Sequence, residues 1–263
     1  MTQARILLKT EDARFDAMQL AMHAFGLNQT RLRLAYDQPV DPAAYFALVR
    51  RRAVGEPLQY LLCRWEFFGL DFAVGPGVLI PRPETELLVE IALKHLRQYD
   101  SPTVLDLCAG TGCIGLSVAH HCPGAQIYLL ELSSEAMPYL KQNAAKYPNA
   151  TVIQANILQN SEFRIPNSEL ILSNPPYIPA GELSGLSKEV QAEPAMALDG
   201  GEDGLLFYRA LAALWLPMLA PGGMLAMECG EGQAEDVAAL FPGCACEILR
   251  DFHEIQRVVA VRC

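Results

Sequence analysis

A chain of 263 residues is long enough to bury a full α/β core and a smaller unit beside it, so two domains are expected. With 51% hydrophobic and 19% charged residues the composition is that of a compact globular protein, and no uncharged apolar run reaches the roughly 18 residues a membrane span needs. A net charge of −10 repels a polyanion, which argues against nucleic acid as the primary substrate.

At the N-terminus Arg5, Lys9, Glu11, Asp12 and Arg14 interrupt any apolar core of a signal peptide, so a cytoplasmic location is expected. Eight cysteines lie scattered at Cys63, Cys108, Cys113, Cys122, Cys229, Cys244, Cys246 and Cys263 and read as reduced packing thiols. There is no Cys-x-x-Cys, and His120-His121-Cys122 lacks a second ligand pair at zinc spacing, so no metal site is expected.

From Met1 to about Leu62 the pattern is one of short helices, with Phe15, Met18, Leu20, Met22 and Phe25 near helical spacing. Asp41-Pro42 marks a helix start, an N-cap followed by proline at the first position. That helix ends at Arg50-Arg51-Arg52, which reads as a solvated helix end complementing the dipole. After the break at Gly55-Glu56-Pro57, Trp65 to Phe72 followed by Val74, Val78 and Ile80 alternate like a β-hairpin. The expected organisation is a helical domain over 1–63, a hairpin linker over 64–80 and a strand–helix domain over 81–263.

From Pro81 onward strands and helices alternate. A helix from about Glu84 to Gln98 precedes a strand Thr103–Leu107, then a glycine loop and a helix carrying Ile114, Leu116 and Val118. A strand Gln126–Glu131, a helix to about Tyr147 and strands near Thr151–Gln154 and Leu170–Ser173 follow. A helix around Leu205–Leu219 is read as ending at Pro221-Gly222-Gly223, with a strand Met224–Cys229 next. A helix Gln233–Leu240 and two strands, Cys246–Leu249 and Arg257–Val261, close the chain as an antiparallel hairpin. Repeated βα units imply an α/β fold with a doubly wound, mostly parallel sheet and ligand sites at the strands' C-terminal ends.

Two such ends carry chemistry. Asp106-Leu107-Cys108-Ala109-Gly110-Thr111-Gly112 follows one strand and opens a helix, and Glu131 ends the next strand. Gly110 to Gly115 matches a dinucleotide fingerprint, which keeps a nicotinamide or flavin oxidoreductase open as an alternative. The bulkier Leu-Cys-Ala before the first glycine suits S-adenosylmethionine better: the glycines admit the methionine part, and Glu131 can hold both ribose hydroxyls. The second end is Asn174-Pro175-Pro176-Tyr177, where the two prolines force a stiff exit from the sheet. The Asn174 side-chain carbonyl and the Pro175 backbone carbonyl can accept the two hydrogens of one –NH2 group, with the Tyr177 ring over its plane.

On these residues the chain resembles the protein-(glutamine-N5) methyltransferases that modify peptide chain release factors, the PrmC/HemK family. The resemblance also covers Glu56-Pro57-Leu58-Gln59-Tyr60-Leu61, Leu79-Ile80-Pro81-Arg82-Pro83-Glu84-Thr85-Glu86 and Glu193-Pro194-Ala195-Met196-Ala197-Leu198 leading into Gly200-Gly201-Glu202-Asp203-Gly204-Leu205. It implies a class I S-adenosylmethionine-dependent methyltransferase fold, a seven-stranded sheet with a small N-terminal helical domain that engages the release factor. It also implies the substrate, the glutamine of a Gly-Gly-Gln motif. By this likeness Asp106, Cys108, Ala109, Gly110, Thr111, Gly112 and Glu131 contact the cofactor, with Asn156 and Ile157 at the adenine and Asn174 adjoining. Asn174, Pro175, Pro176 and Tyr177 form the glutamine site, with Asn174, Pro175 and Tyr177 in the catalytic role. Three departures from the usual pattern are Cys108-Ala109 for Gly-Thr or Gly-Ser, Glu131 for Asp and Asn156 for Asp. The Pro-Arg-Pro-Glu-Thr-Glu segment is read as lining the cofactor mouth or, for Glu84 and Glu86, as first-turn helix acids. Besides the oxidoreductase, an adenine-N6 methyltransferase using the same tetrapeptide on a flipped base and a non-catalytic release-factor-binding protein stay open.

Overall fold

The computed structural model describes residues 2–8, 10, 12–34, 41–159 and 167–263. Its N-terminal part holds the helices α1 (Thr2–Leu7), α2 (Ala13–Phe25), α3 (Gln29–Leu34), α4 (Ala43–Ala53) and α5 (Leu58–Leu62). Local chemistry sets the ends of two of them. Asp12 Oδ1 accepts the Phe15 N–H at 2.9 Å, and α2 stops at Gly26 in the left-handed region, φ 61°. Asp41 Oδ1 accepts the Ala43 N–H at 2.9 Å, as the Asp41-Pro42 signal leads one to expect. Leu20, Tyr45, Val49, Leu58 and Leu61 form a core of their own.

Arg52 departs from the sequence reading. It is not solvated but 6% exposed, with Nε on Asp16 Oδ2 and Nη1 on Glu189 Oε1, both at 2.8 Å. Tyr45, Val49 and Arg52 share the inward stripe of α4, so burial is dictated by helical spacing and the charge must be paired where it lands. Arg51 pairs with Glu56 on the surface.

Strands β1 (Arg64–Phe67) and β2 (Leu70–Ala73) form the expected hairpin around Phe68-Gly69. Both turn residues have positive φ, 51° and 73°, the geometry that matches the strands' twist. The strand pattern does not continue to Ile80: Val74 and Val78 leave the ladder and pack on Ala136.

The second part comprises α6 (Glu86–Leu96), β3 (Thr103–Leu107), α7 (Cys113–His121), β4 (Gln126–Glu131), α8 (Met137–Ala144), β5 (Ala150–Gln154), β6 (Ser168–Ser173), α9 (Lys188–Gln191), α10 (Leu206–Ala210), β7 (Leu219–Glu228), α11 (Ala234–Ala239), β8 (Ala245–Arg250) and β9 (Gln256–Arg262). Seven strands pair in the order β5-β4-β3-β6-β7-β9-β8, parallel from β5 to β7, with β9 antiparallel to both neighbours. Alternate residues of each strand face opposite layers. Val104, Leu170 and Leu172 pack with Leu88, Leu116 and Leu140 on one face, and Leu105, Leu107 and Ile171 pack with Tyr208, Trp215 and Val237 on the other. The strand order reverses between β3 and β6, which opens a crevice at their C-terminal ends. Leu107 pairs with Ser173, so the glycine loop and Asn174 leave neighbouring strands at the same level.

Three further readings are corrected. The helix expected over Leu205–Leu219 is broken into α10, a π turn Leu211–Trp215 and a 3-10 turn Leu216–Met218, because Pro217 has no N–H to continue the ladder. Pro221-Gly222-Gly223 lies inside β7 rather than before it: Ser168 pairs with Leu219 and Leu170 with Met224, so those residues form a bulge where proline is tolerated. Cys244 and Cys263 form a disulfide instead of remaining thiols. Pairing of Ala245 with Arg262 places the next residues outward opposite each other, Cα atoms 4.5 Å apart. The other six cysteines are free. No helix of the described residues is long and apolar enough to cross a membrane.

Candidate active site

On the β3–β4 side the loop after Leu107 turns with Cys108, Gly110 and Gly112 all at positive φ, 61°, 55° and 80°. Cys108 does this with a side chain, at a cost of about 1–2 kcal/mol for a non-glycine residue. Asp106 is fully buried beneath the loop and its Oδ2 accepts the Gly115 N–H at 2.8 Å, clamping strand to helix. Burial pushes its carboxyl up to about 7, against the Gly115 hydrogen bond and helped by the Glu131 charge. Glu131 is held at both oxygens, Oε2 accepting from Gly110 N at 2.8 Å and Oε1 from Ser133 N at 2.7 Å.

These elements border a cavity open to solvent on one side. Its wall brings together Cys108, Ala109, Gly110, Thr111, Glu131, Asn156, Ile157, Asn174 and Pro176 of the residues read from the sequence. Asp106, Gly112, Pro175 and Tyr177 lie off that wall. Asn156 Oδ1 accepts the Leu158 N–H at 3.0 Å, a turn that leaves the oxygen one lone pair. A Cβ added at Gly110 would meet nothing nearer than Val78 Cγ2 at 3.9 Å, so it would project into the cavity and occupy ligand space. Bare backbone beside a fixed carboxylate, with apolar Val78, Ile80 and Ile157 around it, fits a nucleoside carrying vicinal hydroxyls.

On the β6–β7 side, Ser173 Oγ donates to Leu107 O at 2.8 Å, stitching the two strand ends together. Asn174 is half-buried and its Nδ2 donates to Thr85 Oγ1 at 3.2 Å. Thr85 in turn donates to Glu228 Oε2 at 2.6 Å. Glu228, at the end of β7, is fully buried, and Oε1 has no hydrogen-bond partner among the described residues. Burial pushes its carboxyl up to about 7; Glu84 adds to the rise, while the Thr85 hydroxyl, Arg257 and the Asn174 amide oppose it. The Tyr177 carbonyl accepts from Gln233 Nε2 at 2.9 Å. Gly200 packs against this exit so closely that a Cβ would lie 2.8 Å from Tyr177 Cα, which accounts for glycine in that motif.

The Pro-Arg-Pro-Glu-Thr-Glu segment divides as the structure requires. Pro81, Arg82 and Thr85 reach the cavity wall, whereas Glu86 Oε1 accepts the Phe68 N–H at 2.8 Å and ties the hairpin to α6. Arg82 pairs with Glu193, whose side chain is 1% exposed and also accepts the Ile80 N–H at 2.9 Å. That pair fixes the segment bearing Pro194, Met196 and Ala197, which covers the cavity. Glu228 is the residue that sequence reading passed over. An acid closing the apolar run Met224-Leu225-Ala226-Met227 is the same signal that singled out Glu131.

Residues 1–62 match the family model described as the PrmC N-terminal domain, and residues 84–201 match the methyltransferase small domain. A release factor glutamine methyltransferase of Geobacter sulfurreducens is 42% identical, over 96% of this chain and 90% of that protein. One of Moorella thermoacetica is 40% identical, over 88% of this chain and 83% of that protein. Among solved structures, the hMettl16 catalytic domain in complex with the MAT2A 3'UTR hairpin 6 superposes with a TM-score of 0.60 at 14% identity, covering 81% of each chain. That likeness is one of fold. The matches to these relatives span most of the chain, and the chain belongs to the release factor glutamine methyltransferase family.

Proposed function

We propose that the protein methylates the side-chain amide nitrogen, N5, of the glutamine in the Gly-Gly-Gln motif of peptide chain release factors. S-adenosyl-L-methionine is the donor and S-adenosyl-L-homocysteine the by-product. The observation that carries this reading is the opening of the glycine loop, the clamped Glu131 and Asn174 onto one cavity at the switch point. Family membership supplies the substrate class.

When bound, S-adenosylmethionine supplies an electrophilic methyl group on a sulfonium sulfur. Glu131 is suited to accept from the ribose hydroxyls, the backbone of Cys108 to Gly112 to pass along the methionine part, and Asn156 and Ile157 to flank the adenine. Asp106 supports the loop from beneath. An amide nitrogen is a poor nucleophile because its lone pair is delocalised. Asn174 Oδ1, on the cavity wall, and the Pro175 carbonyl, next to it but off the wall, are suited to accept its two hydrogens, favour a pyramidal nitrogen and aim the freed lone pair. Positive charge developing on that nitrogen is then met by two preorganised carbonyl dipoles. Pro176 walls the site, and Tyr177 anchors the loop through its carbonyl. Holding the amide in place accounts for up to roughly 7–11 kcal/mol in favourable cases. A strong base is not required, since the N-methylated amide is acidic and releases its proton late. An adenine amino group offers the same two hydrogens, but the charge of −10 and the family favour the amide.

Residues 1–63 serve as the release-factor-docking domain, 64–80 as the hairpin linker and 81–263 as the methyltransferase domain, at work in the cytoplasm without nucleic acid or membrane as direct partner. Arg52 joins the first to the segment after Asn174–Tyr177 through Glu189, which supports a shared substrate surface. The test is mass spectrometry of a purified release factor after incubation with the protein and S-adenosylmethionine. One added methyl on the Gly-Gly-Gln glutamine is expected; an unmodified glutamine with bound cofactor would overturn the reading.

A further inference from the structure

Asn174 can present either end of its amide to the cavity, and only one end is useful to an acceptor role. An ionised Glu228 can only accept hydrogen bonds, so the single hydroxyl proton of Thr85 is committed to it at 2.6 Å. The Thr85 oxygen then has only lone pairs left for Asn174 and selects the amide's NH2 end, at 3.2 Å. That leaves Oδ1 as the free end of the Asn174 side chain. Thr85 is 2% exposed and Glu228 0% exposed, so bulk water does not substitute for either partner.

We propose that Thr85 and Glu228 are positioning residues that set the direction of the hydrogen-bond chain Glu228–Thr85–Asn174 and thereby present the Asn174 carbonyl, not its NH2, to the substrate nitrogen. This rests on the reading of Asn174 as an acceptor at that nitrogen. The chain is directional. If Glu228 carries a proton it can donate to Thr85, Thr85 is then free to donate to the Asn174 carbonyl, and the amide turns over. An NH2 group would then face the substrate's own NH2, donor against donor. Glu84 ahead of α6, Arg257 on β9, Tyr177 after β6, Tyr208 on α10, Cys229 beyond β7 and Cys113 on α7 all face Glu228. Arg257, the one cation among those six, is paired with Asp251 at 3.3 Å. With burial dominating, Glu228 gains or loses its proton near pH 7.

The experiment uses the full chain with S-adenosylmethionine and a purified release factor, measuring kcat, KM and calorimetric cofactor affinity. Thr85→Val keeps the side chain's shape and removes both the proton and the lone pair. It is expected to lower kcat by about 10²-fold, the scale of a misplaced reacting group, with KM and cofactor affinity within a few-fold. Thr85→Ser restores the hydroxyl and is expected to recover most of that loss. In an Asp106→Asn background, which removes the other carboxyl raised to about 7, kcat is expected to fall as the pH is lowered through about 7, and Glu228→Gln added to that background to abolish the inflection whatever its absolute rate. A Thr85→Val protein as fast as the parent, a Thr85→Ser protein as slow as Thr85→Val, or an inflection that survives Glu228→Gln overturns the proposal. The pH comparison decides the matter even where Thr85→Val fails to fold. A parent that binds cofactor yet methylates nothing refutes the reading of Asn174 itself, a result separate from normal parental turnover with unaffected variants.

Discussion

At the ends of β3 and β4 the groups that define the crevice are backbone N–H groups and one carboxylate, Glu131, pinned at both oxygens by Gly110 and Ser133. At the ends of β6 and β7 they are side chains holding one another: Asn174 on Thr85, Thr85 on Glu228, and Arg82 on Glu193 nearby. The first half is written by backbone conformation, with Cys108, Gly110 and Gly112 at positive φ. The second half depends on particular atoms from segments distant in the chain, Thr85 and Glu228 being 143 positions apart. A substitution there removes a partner that nothing local replaces.

The largest effect of breaking the side-chain half is expected on stability. Arg82→Ala leaves Glu193 buried without its ion partner, a change that typically costs about 3–5 kcal/mol. Denaturant unfolding of the two proteins measures it. An unchanged midpoint would mean that the segment over the cavity does not depend on this pair.

The next effect concerns pH. Glu228 is raised from 4.5 to about 7, so the folded protein holds a proton that the unfolded chain gives up first. Its contribution to stability is fully present below pH 4.5 and is lost as the pH rises through about 7. Over that window the loss is about 3 kcal/mol on the scale of one pKa unit per 1.4 kcal/mol. Glu228→Gln is expected to flatten that slope in unfolding measurements across the window. Asp106 gives the glycine-loop half the same sign, from 3.8 to about 7, so the slope keeps a second component that Asp106→Asn removes. A Glu228→Gln protein with the parental slope would contradict the assignment.

A smaller effect is expected in the backbone half. Glu131→Ala removes a charged acceptor worth roughly 1.5–3 kcal/mol, so S-adenosylmethionine should bind about ten-fold to a hundred-fold more weakly, with kcat at saturation little changed. Calorimetry and saturating turnover together check this, and an unchanged dissociation constant would remove Glu131 from the cofactor site.

The same contrast decides what was legible in the sequence. Strands Thr103–Leu107 and Gln126–Glu131 were readable to the residue, because apolar runs bounded by glycine and charge carry their own limits. The glycine loop, Glu131 and Asn174–Tyr177 were readable for the same reason: each is a local string at a strand end. Arg52 was misread because its neighbours in sequence, Arg50 and Arg51, are exposed, while only the i, i+3 and i, i+7 relation to Val49 and Tyr45 reveals its burial. Pro221-Gly222-Gly223 was misread as a helix stop because a bulge in β7 shows only against its partner β6. The Cys244–Cys263 bond needs the β8–β9 register to be seen. Thr85 and Glu228 lay within a quoted motif and a recognised strand, yet nothing in either string says that they meet.

The most direct measurement is a paired one on Asn174→Ala and the parent: calorimetric titration with S-adenosylmethionine, and single-turnover methyl transfer to a release factor at saturating cofactor. Loss of one preorganised contact at the reacting group is expected to slow transfer by about 10²–10³-fold, with the dissociation constant within a few-fold of the parent's. Equal transfer rates, or a loss of cofactor affinity as large as the loss of rate, would contradict the division of the crevice into a binding half and a transfer half.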